Sequence, residues 1–593
     1  MFSTRPELAG THGMVASTHW LASATGMVVL EDGGNAFDAA VAAGFVLQVA
    51  EPHLNGPAGQ VPGLFVTADD PRPRMLCGQG VAPAAATPEH FAGLGLDLIP
   101  GSGLLAATVP GAWDGWLMLL RDHGTKSLRD VLRYAIGYAA DGVPLVDRVG
   151  ETIGLVSGLF TEHWPTSAEL WLPGGRPPRP GVPHRNPALA RTWRRLLAEA
   201  EAVAGREAQI DAARRAWSQG FVAEAVHEFS RKAFRDDSGR DHAGLLTGDD
   251  LAGWQASYED ALVTDVGEWS LVKCGGWTQG PALAQQVLLM DGFRSEMSYV
   301  DGVPSARTVH LAVECAKLAF ADREAWFGDT DVPLDALLSA SYLDERRALV
   351  GDRASGELRP GSPGGRSPVL PRILDSLRDA PAGVGAIGEP TVGPAGQTRG
   401  DTVHLDVADA AGNLISLTPS GGWLQSSPTI PELGFCLDSR AQMFWLEQGL
   451  PNSLAPGKRP RITLSPSMAL RDGEPVLAFG TPGGDQQDQW QLCFWLAHTV
   501  AGLNLQQAID APAWHTNAFP SSFYPRSWTP RELVAESRLG ADTLDALRSW
   551  GHQVVDAGPW ALGRLSAVSR DPSTGVLRAA ANARGMQGYA VGR

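Results

Sequence analysis

The clearest alternation of apolar and polar residues lies between residues 402 and 418. Apolar and polar residues alternate through 402–408 and again through 414–418, which predicts two short β-strands. The Gly412-Asn413 pair between them is typical of a tight hairpin turn. Residues 351–400 precede the hairpin, lack such a pattern and are rich in Gly and Pro, so they are predicted to form a flexible linker.

Helical periodicity is found elsewhere in the chain. Apolar residues recur at helical spacing, with charged faces between them, through 117–140, 186–232 and 307–327, which predicts amphipathic helices. Residues 36–44 are mostly small and apolar, which favours close packing in a core rather than chemistry.

Thr402 is the candidate nucleophile, because it opens a buried strand directly after the linker. A cut at the Asp401–Thr402 bond would give Thr402 a free α-amine, which can act as the general base for its own hydroxyl. A Thr at the start of a strand is also an ordinary β-branched residue that packs on a sheet. The hairpin alone therefore leaves both interpretations open.

The composition and charge of the chain limit its expected binding partners and its expected location in the cell. The net charge of −17 over 593 residues argues against nucleic acid or an anionic membrane as a partner. No basic segment precedes an apolar core as in a secretory signal, and no stretch approaches the roughly 20 apolar residues that span a bilayer. We therefore expect a cytoplasmic protein.

The five cysteines are scattered and show no Cys-x-x-Cys spacing, which disfavours a disulfide framework or a metal site. Buried free thiols are expected instead. The motifs described next require no metal and no organic cofactor.

Motifs along nearly the whole chain resemble those of the gamma-glutamyltransferase family, whose members are self-processing N-terminal nucleophile hydrolases. In the family's order they are Gly33-Gly34-Asn35-Ala36-Phe37-Asp38, Val109-Pro110-Gly111, Phe320-Ala321-Asp322-Arg323, Thr402-x-His404, Asp409-x-x-Gly412-Asn413, Lys458-Arg459-Pro460, Thr481-Pro482-Gly483-Gly484 and Ala583-Arg584-Gly585. Segments 440–445 and 481–490 look like the oxamate amidohydrolase-like branch of the family.

The resemblance implies an α+β, four-layer αββα N-terminal nucleophile hydrolase fold. Self-cleavage would divide the chain into a large subunit, residues 1–401, and a small subunit, residues 402–593, which stay intertwined. In catalysis, Ser420 would hydrogen-bond the Thr402 hydroxyl, and the backbone N–H groups of Gly483 and Gly484 would bind the oxyanion.

The residues that recognise a glutamyl group in the family are largely replaced. Gln79 stands where the family has an Arg for the substrate α-carboxylate, and Arg440 and Met443 stand where it has a Gln and an Asp. Further replacements are Gly422 for an Asn and Ile462-Thr463 for a Ser pair. A cation without a nearby carboxylate repels an α-ammonium group, so a glutamyl substrate is disfavoured.

We expect an acyl hydrolase or acyltransferase whose small-molecule substrate carries a short, carboxylate-bearing acyl group, of the oxalyl or oxamate type. Arg440, with Gln79, would anchor the carboxylate; a structural salt bridge is the alternative for Arg440. His53 and Asn55 lie in a loop that is near the active site in the family, so they are candidates for substrate contact or for loop capping.

Three alternatives remain open at this point. The first is C–C bond cleavage of an oxalyl group, as in related homologues of antibiotic alkylproline biosynthesis. The second is a glutathione hydrolase with a modified pocket. The third is a non-catalytic homologue that is never processed.

Overall fold

Two β-sheets lie at the centre of the protein. The computed structural model describes residues 3–379 and 402–593. Seven strands of this part of the chain form the sheet that contains the predicted hairpin, hereafter the hairpin sheet. In spatial order its strands are Tyr589–Gly592, Gly13–Ser17, Leu405–Asp409, Leu414–Leu417, Val61–Val66, Arg74–Gly78 and Ser257–Asp260.

A second sheet packs face to face with the hairpin sheet and is named here the facing sheet. Its seven strands within the described residues are, in spatial order, Leu8–Gly10, Leu577–Ala581, Ser566–Arg570, Glu474–Gly480, Ser467–Arg471, Trp269–Lys273 and Leu262–Val266. Neighbouring strands in both sheets run antiparallel. Shorter strands form small sheets at Val143–Pro144, Pro183–His184, Ala233–Arg235, Asp241–Ala243, Tyr299–Val300, Val303–Pro304, Trp514–Thr516, Glu532–Ala535 and Gln553–Asp556.

Apolar side chains fill the space between the two sheets. Met14 and Leu64 of the hairpin sheet pack with Met468 and Val568 of the facing sheet in one buried cluster. Because successive side chains of a strand point to opposite faces, Val15, which follows Met14, lies instead in the cluster formed with the helices.

Helices cover the outer face of each sheet. Those whose apolar side chains share a cluster with the hairpin sheet are Trp20–Glu31, Ala36–Ala50, Ala112–His123, Leu128–Asp141, Asp147–Glu162, Pro165–Trp171, Pro187–Glu201, Arg206–Ser218, Phe221–Ser230 and Gly248–Ala252. Those that pack with the facing sheet are Gly280–Asp291, Ala306–Trp326, Ala340–Arg347, Gln487–Thr499, Leu505–Asp510 and Ala541–Ser549. Short helices lie at Pro88–Gly93, Leu334–Leu337 and Leu374–Leu377. The predicted four-layer αββα arrangement is confirmed.

The predicted hairpin forms, but its first strand begins later than the apolar pattern indicates. The strand is Leu405–Asp409 rather than 402–408. Thr402 instead forms an isolated antiparallel bridge with Ser420, and the Val403 N–H donates to the Pro419 carbonyl at 3.0 Å. This bridge keeps the register of the hairpin, in which Leu405 pairs with Leu417, so the chain runs alongside the returning strand from Thr402 onward.

Part of the predicted linker packs against the body of the protein. The Ala354 N–H donates to the Trp550 carbonyl at 2.9 Å, and Leu374 and Leu377 are buried against Trp528. Residues 351–379 are therefore not the loose segment that their composition indicates. Asp401 and the rest of the linker lie outside the described residues, so the division into 1–401 and 402–593 stays a prediction.

All five cysteines are buried and carry free thiols, as predicted. Within the described part of the chain, no helix combines the length and the apolar character needed to cross a lipid bilayer.

A buried ion pair joins the facing sheet to the helix Gln487–Thr499. Lys273 Nζ lies 3.1 Å from Asp488 Oδ1, and both side chains are fully buried. Removing one partner leaves the other charge uncompensated. We expect Lys273→Met to lower the free energy of unfolding by about 3 kcal/mol, as measured by urea denaturation.

The matched control is the double variant Lys273→Met/Asp488→Leu, which removes both charges and should recover most of the lost stability. A single variant as stable as the unmodified protein would contradict this role of the pair.

Candidate active site

Thr402 and Ser420 face each other at the open end of the hairpin. Their side-chain oxygens lie 3.3 Å apart, with the Thr402 hydroxyl donating, and both residues are buried. Gln60 continues the pairing: its N–H donates to the Ser420 carbonyl at 2.7 Å and its carbonyl accepts the Ser420 N–H at 3.0 Å. Backbone pairing from a third segment thus fixes the hydroxyl pair.

His404 takes a structural position two residues after Thr402. Its Nδ1 lies 2.9 Å from Thr418 Oγ1 and its Nε2 lies 2.9 Å from Asp406 Oδ1. The other Asp406 oxygen accepts a hydrogen bond from Ser566 Oγ of the facing sheet at 2.9 Å. His404 and Asp406 therefore connect the two sheets directly behind the hydroxyl pair.

The His404 imidazole also contacts the start of the loop that contains Gly483 and Gly484. This loop follows the facing-sheet strand Glu474–Gly480. A Cβ atom on Gly480 would lie only 2.3 Å from His404 Cε1, so this close approach requires glycine.

Gly483 and Gly484 have a backbone suited to anion binding. Gly483 has φ 127°, and a Cβ atom there would lie 2.1 Å from the Trp490 ring. Neither glycine N–H donates a hydrogen bond to a residue in 3–379 or 402–593. Two adjacent N–H groups of this kind are the donors that an oxyanion requires.

Arg440 lies beside the hydroxyl pair and is fully buried. Its Cζ lies 5.0 Å from the centroid of the Trp423 ring, a cation–π distance. Its Nε is 3.6 Å from the point that a Cβ atom on Gly421 would occupy, and Gly421 directly follows Ser420. The Arg440 side chain therefore lies close to the backbone next to Ser420.

The wall next to Arg440 is apolar. Trp423, Met443 and Ile462 are buried in the cluster between the two sheets. Met443 and Ile462 are two of the positions at which the sequence departs from the glutamyl-recognising pattern. An apolar wall offers no counter-charge to an α-ammonium group.

Asp438 is a buried carboxyl that the sequence analysis did not select, although it stands two residues before Arg440. It accepts hydrogen bonds from Gln60 Nε2 at 2.7 Å, from the Thr108 N–H at 3.0 Å and from the Arg440 N–H at 2.9 Å. Burial raises its pKa to about 6, against the opposing effect of these hydrogen bonds and of the Arg440 charge. Through Gln60, Asp438 links Arg440 to Ser420.

Gln79 lies on the far side of Gln60. It is fully buried, and its Nε2 donates to the carbonyl of its neighbour Gly80 at 2.8 Å. The Gly80 N–H donates to Gln60 Oε1 at 3.0 Å. Gln79 thus belongs to the same hydrogen-bonded shell as Asp438.

The side chains of Asn55 and His53 differ in their hydrogen-bond partners. Asn55 Nδ2 donates to the carbonyls of Leu47 and Glu51 at 3.0 and 3.2 Å, so it caps a helix end, as the capping alternative predicts. Its backbone pairs with Gly421. Neither ring nitrogen of His53 has a hydrogen-bond partner among the described residues.

One cluster has the composition of a metal site. Ligand atoms of His310, Glu314 and His552 lie within 4.8 Å of one another. However, the two imidazoles hydrogen-bond each other at 2.8 Å, and Glu314 is paired with Lys317 at 2.6 Å and with Arg359 at 3.4 Å. These cations already neutralise the carboxylate and would repel a divalent ion.

Comparison with known proteins decides the family. The family model described as gamma-glutamyltranspeptidase matches residues 22–592. The chain belongs to the gamma-glutamyltranspeptidase family. The predicted resemblance is therefore confirmed, and with it the N-terminal nucleophile hydrolase fold and an enzymatic activity.

Several members of the family are similar over almost their full length. The oxamate amidohydrolase proenzyme of Klebsiella pneumoniae subsp. pneumoniae is 31% identical over 591 residues, which cover 97% of each chain. The glutathione hydrolase proenzyme of Bacillus subtilis (strain 168) is 27% identical and covers 98% of this chain and 92% of the relative. The solved structure named "Structure of LmbA2991HD" is 58% identical, with a TM-score of 0.94 and complete coverage of both chains.

The buried Asp438 carboxyl predicts a pH dependence of stability. The pKa of Asp438 is about 6 in the folded protein, above the ordinary value for an aspartic acid. Its stabilising contribution to the free energy of unfolding is therefore complete below about pH 4 and is lost as the pH rises through 6. The difference in unfolding free energy between the unmodified protein and Asp438→Asn should therefore fall by up to about 3 kcal/mol over this window. Urea denaturation between pH 4 and 7 measures it; a constant difference would show that Asp438 does not titrate there.

Proposed function

We propose that this enzyme is a self-processing threonine acyl hydrolase for short, carboxylate-bearing acyl groups of the oxalyl or oxamate type. The observation that carries the proposal is the Thr402–Ser420 hydroxyl pair at 3.3 Å with the buried Arg440 beside it. The 31% identical oxamate amidohydrolase proenzyme supports the same substrate class.

Maturation would use the nucleophile of catalysis. The Thr402 Oγ attacks the carbonyl carbon of Asp401, and the Asp401–Thr402 C–N bond breaks as its nitrogen gains the hydroxyl proton. The resulting ester is opened by water, which leaves a carboxylate on Asp401 and a free α-amine on Thr402. Asp401 lies outside the described residues, so the cleavage site rests on the sequence.

Turnover would follow the same chemistry. The α-amine of Thr402 takes the Oγ proton while Oγ attacks the acyl carbon, and the N–H groups of Gly483 and Gly484 bind the oxyanion. The leaving group departs with that proton. Water then hydrolyses the acyl ester, which releases the acid and restores the hydroxyl.

The acyl group should be short and acidic because of the groups around Thr402. Arg440 supplies a buried cation and the wall of Trp423, Met443 and Ile462 is apolar. The nearby Asp438 carboxyl already accepts hydrogen bonds from Gln60, Thr108 and Arg440. A carboxylate next to the scissile carbonyl would pair with Arg440 by charge-assisted hydrogen bonds.

The finer hypothesis is cleavage of a C–C bond to an oxalyl group, as in alkylproline biosynthesis. The same nucleophile and oxyanion donors would serve. The leaving group would depart as a stabilised carbanion, and its carbon atom would then take the proton. An oxamate and a matched C-oxalyl compound assayed together distinguish the two bonds.

A glutathione hydrolase is the second candidate, favoured by the 27% identical relative. The two candidates differ in the charge they need near Thr402. A glutamyl group requires a carboxylate for its ammonium, whereas an oxalyl group requires only the cation.

Thr402→Ala should give one uncut chain with no turnover, because it removes the hydroxyl that both steps use. We expect a loss of activity of about 10⁴-fold or more. Denaturing gels and intact mass measure the cut, and Thr402→Ser, which keeps a hydroxyl, is the matched control that should still process. Normal turnover by Thr402→Ala, or full activity of an unbroken chain, would eliminate the proposed nucleophile; an unbroken and inactive native chain would support the non-catalytic alternative.

The substrate class is tested with oxamate and a γ-glutamyl anilide on the processed enzyme. We expect kcat/KM to be higher for oxamate, and Arg440→Met to lower the oxamate value by about 10- to 100-fold through the lost ion pair. Faster release from the glutamyl compound would instead establish the second candidate.

A further inference from the structure

A glutamine side chain contacts the backbone of the glycine pair that would bind the oxyanion. Gln279 is fully buried, and its Nε2 donates to the Gly484 carbonyl, 205 positions away in the chain, at 3.1 Å. The same carbonyl accepts the Gln487 N–H at the end of the helical turn Gly484–Gln486. Both lone pairs of the carbonyl therefore have a partner, one within the loop and one from a distant segment.

Arg323 determines which end of the Gln279 amide faces the glycine pair. Arg323 Nη1 donates to Gln279 Oε1 at 3.0 Å. Since a guanidinium group can only donate hydrogen bonds, the amide oxygen must face Arg323, and the amide N–H groups then face Gly484. Arg323 also pairs with the carboxylate of Asp485, which directly follows Gly484. One arginine thus contacts the loop directly through Asp485 and indirectly through Gln279.

The surroundings of Arg323 and Asp485 hold both side chains in place. Arg323 is fully buried, and its Cζ lies 4.7 Å from the centroid of the Phe320 ring and 5.1 Å from that of Phe519. Asp485 accepts the Ser522 N–H at 2.8 Å and the Ser522 hydroxyl at 2.7 Å. The arginine that orients the amide is therefore fixed by aromatic packing and by a carboxylate that has its own partners.

The glycine pair needs such support because its own backbone is permissive. Gly483 and Gly484 have φ values of 127° and 54°, and glycine reaches other conformations at little cost. The Trp490 ring closes the space beside Gly483, and Gln279 binds the carbonyl of Gly484. Donors stabilise an oxyanion most when they are oriented before the charge develops. Support from outside the loop supplies that orientation.

Gln279 also contacts the wall of the proposed acyl site. Its backbone N–H donates to the Ile462 carbonyl at 2.9 Å. Ile462 belongs to the apolar wall next to Arg440. Gln279 therefore contacts this wall through its backbone and the glycine loop through its side chain.

We propose that Gln279 is a positioning residue, which holds Gly484 in the conformation that binds the oxyanion. This inference rests on the proposed acyl hydrolase function. Gln279 acts through the backbone of Gly484 and not on the acyl group, so its loss weakens stabilisation of the transition state and leaves substrate binding nearly unchanged. The role is the same for any acyl group, because every acyl transfer to Thr402 passes through an oxyanion.

Gln279→Met tests the inference on the processed enzyme, since methionine has a similar length and no amide. We expect kcat to fall about 10- to 100-fold and KM to change less than about twofold, because the oxyanion forms only along the reaction and not in the bound substrate. Gln279→Glu should lower kcat at least as much: the carboxylate keeps the contact with Arg323 but offers no N–H to Gly484. Rates are measured with oxamate and with a γ-glutamyl anilide.

Gln286→Met is the matched control. Gln286 lies on the helix Gly280–Asp291, is fully buried, and donates from Nε2 to a backbone carbonyl, that of Ala282, at 3.0 Å. This variant also removes a buried amide, but away from the glycine pair, so it should keep the kcat of the unmodified enzyme. A gel of the cut chain shows that each variant has folded and matured; if one Gln279 variant does not mature, the other decides.

The outcomes separate the inference from the proposed function. An unchanged kcat in the Gln279 variants, an equal loss in Gln286→Met, or a raised KM with a normal kcat overturns the inference. Absence of the cut chain in both Gln279 variants, when Gln286→Met is cut, would assign Gln279 to folding and also overturns it. Hydrolysis of the γ-glutamyl anilide alone contradicts the proposed substrate class, while a loss of kcat in Gln279→Met still supports the inference. Hydrolysis of neither compound by the unmodified enzyme contradicts the proposed function, and the inference falls with it.

Discussion

The insertion of one strand between two others is the interaction on which the site depends. Leu405–Asp409 pairs with Gly13–Ser17 on one side and with Leu414–Leu417 on the other, in a register that sets Leu405 opposite both Ser17 and Leu417. A shift by one residue would turn every side chain of this strand to the opposite face. The register therefore fixes Thr402 across from Ser420, and packing of His404 against Gly480 brings the loop of Gly483 and Gly484 close to both.

Burial of charge is the second common feature of the site. Asp438 and Glu51 are fully buried carboxyls, and each lies next to arginine. Burial of a charged group costs free energy unless hydrogen-bond or ion-pair partners compensate it. Here Gln60 and Thr108 donate hydrogen bonds to Asp438, and Thr18 donates one to Glu51, so both buried carboxyls are held by neighbouring polar groups.

Much of the fold and part of the site could be predicted from the sequence, because the signals were local. The hairpin is indicated by its alternation and its Gly-Asn turn, and Thr402 is indicated as the candidate nucleophile by motifs along nearly the whole chain that resemble the family. Asp438 and Gln60 carry no local signal for their contact, since they are 378 positions apart in the chain. Residues 351–379 were misjudged for a related reason: Leu374 and Leu377 have no periodic pattern, and they are ordered by distant partners such as Trp528.

The interlacing of the two sheets has a thermodynamic consequence. The hairpin sheet takes strands from 13–17, 61–66, 74–78 and 257–260 as well as from the segments after Thr402, and the facing sheet is mixed in the same way. A molecule cut ahead of Thr402 would hold its two pieces together through a shared interior, with no surface along which they could separate intact. Melting such a molecule would also dissociate it, so recovery would require the encounter of two polypeptides and would slow on dilution.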